Sequence, residues 1–236
     1  DVATKNHIVE QDRRVLQYMR RIVGSDEFIN GIERWCFWIT DDKADAALEI
    51  PVIKERVDLV RDLRLSKTDK NAQRLAAYPY RFREMHETTT NSLVVPSVSS
   101  ENREYIPVGF IDKKTVVTNL AFVIYDCDPW IFGVVSSKMH NLWIKAVCGG
   151  LETRIRYSSE LGYNTFPFPA ITDEQKKEIR NCVNQIIAVR EEEFDKTYAQ
   201  MYKKDEMSDN LRFAHSMLDL QIERCYRDEP FVSDDE

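Results

Sequence analysis

Three charged residues, Glu152, Arg154 and Arg156, recur at every second position of LETRIRYS, residues 151–158. A strand repeats its faces with a period of two. This spacing therefore aligns the three on one face and sends Leu151, Thr153, Ile155 and Tyr157 to the other. Glu152 and Arg154 then stand about 7 Å apart, two residues of strand rise. Such a row can match the hydrogen-bonding edges of planar partners. A guanidinium donates twice to O6 and N7 of guanine, and a carboxylate accepts from N4 of cytosine. A solvated strand face has the same composition, because charged residues are mostly exposed whatever they do.

A second set lies in SVSSENR, 97–103, between two runs of strand character. Ser97, Ser99, Ser100, Asn102 and Arg103 offer hydroxyls, an amide and a guanidinium to phosphate oxygens or base edges, and an ordinary turn would be built from the same residues. Asn119, after TVVT, has the amide that reads N6 and N7 of adenine, and it equally suits a strand kink. Arg81 and Arg83 in PYRFRE are candidate phosphate clamps, with Arg61 and Arg64, one helical turn apart, as weaker ones.

Catalytic constellations are missing from the sequence. The glycines never form the GxG of a nucleotide-cradling loop, and no Asn or Asp is followed by two prolines and an aromatic to hold a flipped base. In NTFPFP, 164–169, the prolines alternate with phenylalanines. Glu174 and Lys176 fit a Glu-x-Lys nuclease pattern but open a helix. The histidines are scattered, His140 suits a packed structural role, and there is neither GxSxG nor CxxC. No catalytic, cofactor or metal centre is expected in this chain.

The elements that must hold these side chains can be read from punctuation and periodicity. Val15, Leu16, Met19 and Ile22 predict a helix over 10–23 ended by Gly24, and ERWCFWI predicts a buried strand over 33–39. Pro51 opens a helix running to about residue 65, and a second spans 71–77. From Ser92 the pattern changes to strands: SLVVPSV, YIPVGFI and TVVTNLAFVIY. Asp128 and Pro129 cap a helical region over 130–148, which stops at Gly149 and Gly150, the pair suited to a positive-φ cap. The proline-interrupted 166–169 segment cannot be a central strand. Thr172 and Gln175 make a capping box for a helix reaching about residue 201, and Ser208 or Asp209 caps a last one over 210–227.

At 236 residues with 43% hydrophobic and 11% aromatic content, the chain can bury a core. No apolar run reaches the roughly 18 residues a membrane span needs, and no signal-peptide pattern is present. Five scattered cysteines suggest reduced thiols and the cytoplasm. The net charge of −7 disfavours nucleic acid only until its distribution is read. Residues 171–236 carry 10 basic and 17 acidic side chains, residues 1–170 carry 23 of each, and 52–90 carries 9 basic against 6 acidic. A neutral reader with one basic stretch suits DNA, with weak phosphate-driven affinity of its own.

Four blocks in order carry a resemblance: GSDEFINGIERWCFWI, IPVIKERVDLVRDLR, LVVPSVSSENREYIPVGFI, and SSKMHNLWIKAVCGGLETRIRYS with YNTFPFP, followed by a helical tail from DEQKKEIRNCVNQIIAVREE. Together they resemble the C-terminal half of MmeI-like bacterial DNA methyltransferases, restriction–modification enzymes that join nuclease, adenine-N6 methyltransferase and target recognition domain. The resemblance implies an α+β fold, a mainly antiparallel sheet with flanking helices, as a target recognition domain over 1–171 and a helical domain over 172–236. The resemblance places base and phosphate contacts in the 97–103 loop; with the residue readings above, base readout is expected of Glu152, Arg154, Arg156, Asn119 and Ser97, and phosphate contacts of Ser99, Ser100, Arg103, Arg81 and Arg83. The family often has arginine where this chain has Ser97, and it varies the residues of the 152–156 segment within a kept frame. Double-stranded DNA and the methyltransferase domain of the same polypeptide would be the partners. S-adenosylmethionine would be bound by that other domain, ahead of Asp1, and no cofactor here. Two alternatives stand beside this: a specificity domain of a phage-defence methyltransferase without nuclease, and a protein-docking module working through its acidic helices.

Overall fold

A computed structural model describes residues 1–151 and 154–234. The chain folds as two compact units, and both are discontinuous in sequence. One comprises Asp1–Ile22, Glu33–Glu87 and Lys114–Val116; the other comprises Val23–Ile32, Thr88–Lys113 and the chain from Val117 onward.

The first unit opens with the helix Val2–Gln11, capped by the Asp1 carboxylate on the Thr4 N–H at 2.8 Å. The helix expected over 10–23 does not form. Asp12 is extended at φ −155° and accepts from the Arg14 N–H at 2.9 Å, which ends one helix and caps a tight 3-10 turn, Arg13–Tyr18. The strand Met19–Val23 then pairs antiparallel with Trp35–Phe37, half-buried rather than buried. Val15, Tyr18 and Ile22 keep the apolar spacing of a helix, but a turn and a strand produce it. Competition by the Asp12 side chain for backbone N–H groups decides the outcome. Pro51 starts the helix Pro51–Leu65, which buries Ile53 and Val57 against Ile39, Ala47 and Ile50. Arg64 is not available to phosphate. It donates to the carbonyls of Leu75, Tyr78 and Arg81 at 2.9, 3.0 and 2.7 Å, holding down the C-terminal end of the helix Lys70–Leu75 and the chain after it.

In the second unit the strand Ser92–Pro96 is buried at every residue and runs antiparallel between Gly109–Ile111 and Ala121–Ile124. The stretch 115–125 breaks into two strands around an exposed turn at Asn119 and Leu120. Asp128 and Pro129 open the helix Pro129–Ser136 as expected. The helical region is split at Ser137, however, whose extended backbone ends that helix and whose hydroxyl caps the next, Lys138–Val147, by accepting from the His140 N–H at 3.2 Å. Gly149, at φ +66°, ends it. Gly133 allows close approach: a Cβ there would lie 2.3 Å from Ile179.

Thr172 and Gln175 form the anticipated capping box, but the helix Asp173–Glu192 stops short of 201. A second box, Thr197 with Gln200, starts the separate helix Tyr198–Met201, and Ser208 caps the helix Asp209–Glu223. Ile179, Val183, Leu211 and Leu218 share one core with Leu93, Phe132 and Ile155. The helices after residue 172 therefore pack in the same unit as the strands before it.

Candidate nucleic-acid interface

The strand Arg154–Arg156 lies between Gly150–Leu151 and Val98–Ser99, antiparallel to both, with Leu151 opposite Arg154, Ser99 opposite Ile155 and Val98 opposite Arg156. Arg154 and Arg156 are exposed, while Ile155 and Tyr157 are buried. The period-two reading holds for these four residues; Glu152 lies outside the described residues. A rigid floor supports the strand. The Tyr157 hydroxyl hydrogen-bonds His140 Nε2 at 3.0 Å, and the His140 ring meets Phe166 edge-on at 4.5 Å. Burial lowers the His140 pKa to about 3, so the ring is neutral and structural.

The candidates that are far apart in sequence adjoin. The Tyr157 N–H donates to the Ser97 carbonyl at 2.9 Å. The Ser97 N–H donates to Ser25 Oγ at 2.8 Å, and the Ser97 hydroxyl donates to the Leu120 carbonyl at 2.6 Å. Ser25, at the start of the helix Ser25–Asn30, also donates to Leu120. One knot thus ties Arg156, Ser97 and the exposed Asn119 turn to one another. The Ser97 hydroxyl is already bonded within it. Sequence reasoning missed Ser25, whose only local signal is the helix start.

In the neighbouring loop, Ser100 Oγ accepts from the Asn102 N–H at 3.2 Å, and the Ser100 carbonyl accepts from the Arg103 N–H at 3.2 Å. Ser99 is 2% exposed on the same strand face as Ile155, so it offers no open surface. Its hydroxyl accepts from the Arg103 guanidinium at 3.4 Å, which makes it a support for that arginine. Arg103 is half-buried, its Nε has no partner among the described residues, and burial lowers its pKa. A desolvated guanidinium without a carboxylate is receptive to an anion.

Arg81 and Arg83 belong to the other unit. Arg81 pairs with Asp41 at 3.0 Å, and the Tyr80 hydroxyl donates to the same carboxylate at 2.9 Å. Arg83 is 76% exposed and lies 3.7 Å from Glu84. Nearby, Trp38 stacks on Phe82 and donates to Glu87 at 2.8 Å, and Arg20 lies over the Trp38 ring.

The chain is 43% identical over 222 residues to DNA methyltransferase A of Bacillus subtilis (strain 168), covering 94% of this chain and 25% of that protein. It therefore spans about a quarter of that relative's length. Among solved structures, that of the type IIL restriction–modification enzyme MmeI in complex with DNA superposes with a TM-score of 0.93 at 34% identity, over 98% of this chain and 31% of the other. Residues 1–170 match the family described as MmeI, target recognition domain, and residues 171–236 match MmeI, C-terminal domain. The chain belongs to the MmeI family, as its target recognition and C-terminal regions.

Proposed function

We propose that this chain reads double-stranded DNA for an adenine-N6 methyltransferase of the restriction–modification kind, whose catalytic domain and S-adenosylmethionine site lie elsewhere in the same polypeptide. One observation carries the reading. The exposed arginines of the Arg154–Arg156 strand, the 97–103 loop and the Asn119 turn adjoin on a supported surface. Membership of the MmeI family, with a neighbour solved in complex with DNA, supports it.

In this reading Glu152, Arg154, Arg156 and Asn119 check base edges in the major groove, with Ser97 as a buttress that keeps the 119 turn against the strand. Ser100 and Arg103 set register on phosphates, with Ser99 orienting Arg103, and Arg81 and Arg83 add contacts from the other unit. Phosphate contacts position, and base contacts specify. Residues 1–171 form the reader and 172–236 a helical domain. On its last helix Phe213, Met217 and Leu220 are exposed at helical spacing, a face suited to the methyltransferase domain of the same polypeptide. Five free cysteines suit the reducing bacterial cytoplasm.

The test is a chemical reversal. Glu152 accepting from cytosine and Arg154 donating to guanine would select one orientation of a C·G pair. The double substitution Glu152→Lys with Arg154→Asp in the full-length protein is expected to favour the opposite orientation at that one position. Losing either contact should cost roughly 1–3 kcal/mol of discrimination. Sequencing the methylated sites reads the result, and an unchanged recognition sequence would return this strand face to solvent.

A further inference from the structure

After the helix Tyr198–Met201 the chain doubles back against the serine-rich loop. Arg103 and Lys203 form an isolated antiparallel bridge, and the Lys204 N–H donates to the Asn102 carbonyl at 2.8 Å. Opposed residues of an antiparallel pair share a face, and faces alternate along each segment. The bridge therefore sets Arg103 with Lys203 on one side and Asn102 with Lys204 on the other.

The two sides differ in what remains available. Arg103 is half-buried, and Lys203 is ion-paired with Glu206. Asn102 and Lys204 are both exposed, and the Lys204 ammonium has no partner among the described residues. Its backbone, by contrast, is tied on both sides. The N–H is bonded to Asn102, and the carbonyl accepts from the Arg212 guanidinium at 3.0 Å, itself paired with Glu104 at 3.1 Å. An exposed cation on a fixed main chain, next to an exposed amide, suits a phosphate oxygen: the ammonium supplies charge and the amide a second donor.

We propose that Asn102 and Lys204 form a phosphate-binding pair on the side of the loop opposite Arg103, so that the acidic C-terminal region contributes a backbone contact to the reader. The proposal rests on the recognition function above. Lys204 supplies its charge although the region from residue 171 carries 17 acidic against 10 basic side chains.

Duplex binding by the full-length protein should be measured against salt concentration for Lys204→Ala, Lys204→Glu and Lys204→Arg, on the recognised sequence and on one with a single base pair changed. Lys204→Ala is expected to weaken both duplexes by the same factor, about 5–10-fold near 0.1 M salt, and to lower the salt slope by about one. Lys204→Glu should weaken them further, Lys204→Arg should restore binding, and the methylated sequence should stay the same in all three. Unchanged affinity and slope in both the alanine and glutamate variants would overturn the pair. So would a loss confined to one base position, which would make Lys204 a base reader. Salt-independent binding, or none, by the unsubstituted protein would instead overturn the recognition reading itself.

Discussion

Arg190 and Arg156 sit in the same compact unit, one 6% exposed at the heart of the core and the other on the outer face of a strand. Arg190 donates to the Val108 carbonyl at 2.8 Å and from Nε to the Tyr202 hydroxyl at 2.7 Å, with its guanidinium 4.9–5.3 Å from the Phe132, Tyr198 and Tyr202 rings. Tyr202 in turn bonds His215 at 2.7 Å. A buried cation persists only where hydrogen bonds and ring faces replace water. Arg156 has an open face, so its donors can answer to a partner. The same side chain is a structural clamp in one place and a candidate reader in the other, and sequence position alone does not tell them apart.

This contrast is broken most directly by substitution. Arg190→Met orphans the Val108 carbonyl, and that alone should cost roughly 1–3 kcal/mol, with lost ring contacts adding to it. Arg156→Ala should leave stability within about 0.5 kcal/mol, as surface changes do, while relaxing discrimination at one base pair. Urea unfolding of both variants, with methylation mapping of the second, decides the matter. A stable Arg190→Met beside a destabilised Arg156→Ala would invert the assignment.

Legibility in the sequence followed the same division. The Arg154–Tyr157 alternation, the Thr172–Gln175 capping box and the Asp128 start were readable because each depends on residues within a few positions. What failed was of two kinds. Asp12 and Ser137 interrupted helical patterns because a short polar side chain competed locally for backbone groups, an effect apolar periodicity does not register. The convergence of Ser25, Ser97, Leu120 and Tyr157, and the meeting of Asn102 with Lys204, depend on long-range pairing that local pattern does not encode. Arg190 gave no signal either, lying on the helix face with Ile179, Val183 and Ile186 as one more heptad-like position.

The buried side of the comparison also makes a pH prediction. Burial holds His140 at about 3, and burial plus the Arg190 charge holds His215 well below its ordinary 6.5. With folded values depressed, both protonate first in the unfolded chain. Their stabilisation is present above about pH 6.5 and is lost as the pH falls. Asp219, which accepts from the Tyr105 hydroxyl and the Lys138 N–H, is raised by burial to about 6. It works in the other direction, since the folded chain takes its proton first. As the pH falls below about 6 the two histidines oppose Asp219 and outnumber it, so stability should fall. Asp219→Asn removes the opposing group and should steepen the fall relative to its own pH 7 value. Chemical unfolding at pH 7, 6 and 5 measures it, and a flat profile would show that the two rings are not buried neutral.

The smallest effect separates Arg81 from Arg83. Arg81 is 35% exposed in its side chain and already held by Asp41 at 3.0 Å, a carboxylate shared with Tyr80, so a phosphate would have to compete for it. Arg83 is 76% exposed, and its contact to Glu84, at 3.7 Å, is long and solvated. Such a pair contributes little to folding and gives up its cation readily. If both arginines serve the DNA backbone, Arg83→Ala should lower the salt slope of duplex binding by about one, and Arg81→Ala by less. Neither should change the methylated sequence, and thermal midpoints should barely move. The measurement is a salt titration on a recognised and a mismatched duplex. Equal slopes for both variants and the parent would remove the pair from the interface, and a larger change for Arg81 would show that Asp41 presents that guanidinium to the phosphate rather than competing for it.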